Sequence, residues 1–182
     1  MVDGGFHWIT IMRMQTERRA INCRVPAQAG FSLIELLIVV AIILIIAAIA
    51  IPDYLNTKMA ANEASAVESM RTIQTAIIAY STSYPAIGYP ALLSDLGSGG
   101  ASPCVAAPNQ ACLIDQLLAT GTKGGYILTY VQDTTTTPST GYTINADPIS
   151  RGRTGRRSFF TDTPGVIRFN PAAPATPTDP PL

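Results

Sequence analysis

The chain has 182 residues, enough for one domain and an anchor, and its 12 basic and 12 acidic side chains cancel. With no net charge there is no overall field that would draw nucleic acid. The only histidine is His7, near the N-terminus. The body therefore lacks a Ser-His-Asp set and a histidine-based zinc site, and no phosphate loop or CxxC pair is present.

The first 30 residues are basic: Arg13, Arg18, Arg19 and Arg24 outweigh Asp3 and Glu17. From Phe31 onward eight basic side chains face ten acidic ones. Met12 and Met14 are alternative starts. Cys23 has no apolar segment before it, which disfavours lipidation and leaves it as part of a discarded leader.

The next element is "GFSLIELLIVVAIILIIAAIAIP", residues 30–52. Leu36 to Ile51 is sixteen residues without a polar side chain, and Phe31 to Ile51 is twenty-one, interrupted only by Ser32 and Glu35. As a helix the run spans about 30 Å, one hydrocarbon core. Basic residues before it and Asp53 after it orient the N-terminus to the cytoplasm and the body outside. Three readings fit: a plain signal anchor, a secretory signal cut after Ala48-Ile49-Ala50, or cleavage after Gly30 that keeps the run on the mature chain. Pro52 close to the second cut, and Glu35 inside the apolar entry, speak against a secretory signal.

The glycine, the "FSLIE" after it and the long apolar run resemble the processing site of type IV pilins and pseudopilins. The resemblance is specific over residues 30–52 and diffuse beyond. It implies that a prepilin peptidase cuts between Gly30 and Phe31, removing leader 1–30, and methylates the Phe31 amine. It also implies that Glu35 of one subunit meets that amine on a neighbour during assembly. Either charge alone is costly in an apolar bundle, and the two neutralise each other only when subunits are in register. The family commonly has a proline where the apolar segment ends, and Pro52 occupies that place. Pro52 removes a helical hydrogen bond and predicts a kink.

Residues 53–83 continue the helix in another style. Leu55, Met59, Ala66, Met70, Ile73, Ile77 and Tyr80 form an apolar stripe with Asn62 as its weak position. Lys58, Glu63, Glu68 and Arg71 are expected in solvent or against neighbouring subunits. One helix of about 50 residues, Phe31 to about Ser81, follows.

Residues 84–125 read as a connection with two short helical pieces, Pro90–Leu96 and Cys112–Ala119, around a Gly-, Ser- and Pro-rich loop. Cys104 and Cys112 are eight residues apart and form a disulfide once the body is exported. Residues 126–170 hold four β-rich runs, "YILTYVQD", "GYTINADPIS", "RSFFTD" and "GVIRFN", the last two joined by "TPG". An antiparallel sheet of about four strands over the helix stripe makes the fold α+β, the architecture the pilin resemblance also implies.

"RGRTGRR", residues 151–157, reads as a solvated loop rather than a phosphate or DNA contact, so no specific nucleic acid partner is expected. The proline-rich tail, residues 171–182, reads as flexible. Asp133, Asp147 and Asp162 have carboxylates suited to calcium, which some pseudopilins bind in this region, but their spacing fits no calcium loop; no metal or cofactor is expected.

The functional expectation is a non-enzymatic major or minor pilin in a type IV pilus. Its partners are then prepilin peptidase, itself or other pilins, the assembly machinery, and the inner membrane before assembly. A type II secretion pseudopilin, acting in a periplasmic pseudopilus, is the alternative. A secreted binding domain with a cleaved signal peptide is a more remote one.

Overall fold

The computed structural model describes residues 30–182. The leader, with Cys23, its four arginines and the alternative starts, lies outside the described residues. The chain divides into two compact units, Met1–Ala41 and Ile42–Leu182. In the first unit, the described residues hold the start of helix α1, which runs Leu33–Ser83.

The remainder of α1 belongs to the second unit. No glycine or proline follows Pro52 until Pro85, and good helix formers such as Lys58, Ala60, Ala61, Ala64, Glu68 and Arg71 hold several exposed positions. The helix stops where Tyr84 precedes Pro85, since a residue before proline is pushed out of helical geometry. Its buried face steps by four and three through Met59, Glu63, Ala66, Met70, Ile73, Ile77 and Tyr80. Leu55, expected on that face, is 49% exposed. Glu63, expected in solvent or against a neighbouring subunit, takes a place in the buried stripe.

A 3-10 turn at Leu93–Leu96 and the four-residue helix α2, Gln116–Ala119, follow. The second helical piece is thus shorter than Cys112–Ala119. Cys112 has a positive φ of 57°. The amides of Cys112, Leu113 and Ile114 donate to the carbonyls of Gly97 and Leu96 instead of building a helix. Asp115 then caps α2, its Oδ1 accepting from the Leu118 amide at 2.7 Å. Cys104 and Cys112 form a disulfide, with Cα atoms 6.2 Å apart.

The sheet is antiparallel in the order β1-β2-β3-β4-β5. Its strands are β1 Thr122–Lys123, β2 Tyr126–Gln132, β3 Tyr142–Pro148, β4 Ser158–Asp162 and β5 Arg168–Asn170. Four match the β-rich runs. The fifth, β1, has two residues and lies in the segment expected to be only a connection. The inner face presents Tyr126, Leu128, Ile144, Ala146 and Phe159, which join the α1 stripe in one core. Leu96, Ile114 and Leu118 close that core from the connecting segment.

The tail is not loose. The Phe169 amide donates to the Pro180 carbonyl at 3.1 Å and the Leu182 amide to Ile167 at 2.9 Å, so the tail lies along β5. Asn145 Nδ2 donates to the Ala175 carbonyl at 3.1 Å, and Ala175 is buried. Asp179 Oδ2 accepts from the amide and hydroxyl of Thr176, closing a side-chain turn between the prolines.

Candidate functional site

Gly30 precedes α1 and is exposed, and a Cβ added there meets nothing within 4 Å. The fold itself thus places no demand for glycine at this position. Phe31 is 75% exposed, and Glu35 lies in the first helical turn, where the helix dipole favours a carboxylate. Glu35 makes no ion pair or side-chain hydrogen bond to any described residue. From Phe31 to Ile51 every residue is exposed except half-buried Ala47. An α-helix is one of the few structures that satisfies its own backbone in a lipid core, and this segment is long and apolar enough to cross one. Pro52 lies inside α1, not at its end.

A second constellation ties α1 to the connection between β3 and β4. Glu63 Oε1 accepts from the amides of Arg156 (2.8 Å) and Arg157 (3.2 Å). Glu63 Oε2 forms an ion pair with Arg157 Nε at 2.7 Å. Burial pushes the Glu63 carboxyl up. The two amides and the guanidinium pull it further down, leaving it below its ordinary value. The Arg157 guanidinium also lies 5.6 Å from the Phe159 ring centroid and 5.5 Å from that of Phe169.

The basic loop is accordingly not a freely solvated one. Arg151 donates to the Arg156 carbonyl and to Ser158 Oγ, Arg156 to Asn56 Oδ1 at 2.9 Å, and Asn62 to the Thr154 carbonyl at 2.8 Å. Gly155 is required by close approach, because a Cβ there would sit 2.1 Å from Tyr126 Oη. The sequence carried a signal for this latch. An acid at the 4-3-4 spacing of a buried stripe calls for a basic partner, and the one arginine cluster supplies it. Asp133, Asp147 and Asp162 form no group of three or more potential metal ligands among the described residues.

One long N-terminal helix with an apolar stretch, followed by a five-stranded antiparallel sheet, defines an α+β protein whose first segment fits a membrane anchor. Residues 26–51 match the family model described as the prokaryotic N-terminal methylation motif, so the chain carries the type IV pilin and pseudopilin signal. The motif implies a structural protein, processing by a prepilin peptidase and assembly of the pilin kind. No solved structure matches the chain significantly.

Proposed function

We propose that this chain is a pilin of a type IV pilus, cut between Gly30 and Phe31 and methylated at Phe31. The observation that carries the reading is the motif at the head of a helix whose apolar half has no cover of its own. An uncovered apolar helix needs lipid or other copies of itself, and a pilin meets both in turn. Before assembly the segment 31–52 spans the inner membrane, with the N-terminus cytoplasmic. In the filament the same segments bundle in the core, and Glu35 pairs with the Phe31 amine of a neighbour. Pro52 gives the helix one missing hydrogen bond at the border of the apolar half, the place for a bend during packing.

The test is the N-terminus and location of the mature chain. Mass spectrometry of material sheared from the cell surface is expected to find a chain beginning at N-methylated Phe31. The same methylated chain confined to the periplasm and inner membrane would assign it to a secretion pseudopilus. A mature chain beginning after Ala50 would overturn pilin processing altogether.

A further inference from the structure

We infer that the basic loop Arg151–Arg157, together with Lys58, is a docking surface for anionic phospholipid headgroups that holds the unassembled body against the membrane. The inference rests on the reading of residues 31–51 as a membrane span. It concerns the side of the body next to that span, and residues Ile42–Leu182 form one compact unit.

The geometry carries it. The apolar run stops at Ile51, and Asn56 lies five residues further along the same helix. Five residues are about 7.5 Å of rise. The polar headgroup layer on each side of the hydrocarbon is about 5–8 Å thick. Asn56 therefore stands at the level of the headgroups or their outer edge, and Arg156 is hydrogen-bonded to it. On either side of Asn56 in the helix, Leu55 and Lys58 line a pocket together with Ser150, Gly152, Arg153 and Thr154. The loop is thus held at lipid level by its contacts with α1.

The charge fits that position. Lys58, Arg151, Arg153 and Arg156 are exposed and form no ion pair among the described residues. Arg157, the remaining cation of the loop, is taken by Glu63. The carboxylates of this region with no basic partner are Asp53 and half-buried Asp147, which leaves an excess of positive charge. Long basic side chains at a membrane border bury their stems and keep their charges at headgroup level. Basic residues beside a span are drawn to anionic lipid and released by salt.

The experiment uses the mature full-length chain reconstituted into vesicles of phosphatidylcholine alone or mixed with phosphatidylglycerol. Flotation reports insertion, and hydrogen exchange reports the amides of residues 152–157. Exchange is expected to be slower in the phosphatidylglycerol vesicles, by roughly fivefold for each engaged cation. High salt should reverse the slowing, and the double variant Lys58→Gln/Arg153→Gln should lose most of it. Neither side chain donates a hydrogen bond among the described residues, so an unchanged melting transition is expected to show that the variant is folded. Insertion with equal exchange in both vesicles overturns the lipid contact and leaves the span intact. Protection that appears only in assembled filaments also overturns it and assigns the loop to a neighbouring subunit. Failure to float overturns the membrane span and the inference with it.

Discussion

Glu63 is a buried carboxylate that ties the long helix to the connection between β3 and β4. Three donors converge on it. Glu63→Ala is expected to lower stability by about 2–3 kcal/mol, because two amides and a guanidinium lose their acceptor. Urea unfolding of the mature protein in detergent checks it. The same carboxyl sets a pH dependence. Its folded value is depressed, so its contribution is complete above the unfolded value of about 4.3 and is lost as pH falls through the folded one. A Glu63→Gln variant should be less stable than wild type at pH 7, with the gap closing as pH falls below about 4. A gap that stays constant across that range would remove Glu63 as its source. Gly30 is the contrasting case, since nothing in the fold constrains it. Gly30→Val is expected to leave insertion and melting unchanged while full-length precursor accumulates. Mature chain of normal size from this variant would show that the cut lies elsewhere.

At the scale of elements, legibility followed the regularity of the pattern. The long helix was readable because a span-length apolar run passes at Pro52 into a three-and-four-residue stripe, with no glycine or further proline until Pro85. The four main strands were readable from their β-branched and aromatic runs. Strand β1 escaped because two residues carry no period, and pairing with β2 is what makes them a strand. The tail escaped because proline-rich composition suggests disorder, whereas Asn170 and Asp179 build side-chain turns that hold it. Taken alone, the charge of Glu63 points to the solvent face. The 4-3 spacing placed it inside the stripe all along. The disulfide was readable once export was accepted, and it closes a loop with a sequence separation of eight. That closure contributes about 2–3 kcal/mol in the chain-entropy view. The Cys104→Ser/Cys112→Ser variant should lose about that much in chemical unfolding, and native mature protein should show no free thiol without reduction. Quantitative labelling of either thiol in the native chain would contradict the pairing.

At the scale of the whole molecule, the monomer and the proposed filament make different demands on the same helix. Glu35→Ala removes a carboxylate that costs roughly 2.5–3.5 kcal/mol to insert, so membrane insertion should become no harder. The body, built from α1 beyond the span and the sheet, should melt as before. If Glu35 pairs with the Phe31 amine of a neighbour as proposed, assembly should suffer, because each such amine loses its partner at about 3–5 kcal/mol per contact. Comparing membrane-held with filament-held protein in wild type and Glu35→Ala tests this. Equal filament yield would mean that Glu35 has no part in subunit register.

The docked tail bears on which kinds of polymer this chain is able to form. A subunit stored at high local density, with a bare strand at the rim of its sheet, invites neighbours to add strand to strand into cross-β aggregates. Here the rim at β5 is occupied by the chain's own last residues. Pro180 and Pro181 have no amide hydrogen to offer a further strand. Growth through the sheet is thereby blocked on the β5 side, which is compatible with the proposed assembly through the apolar helices.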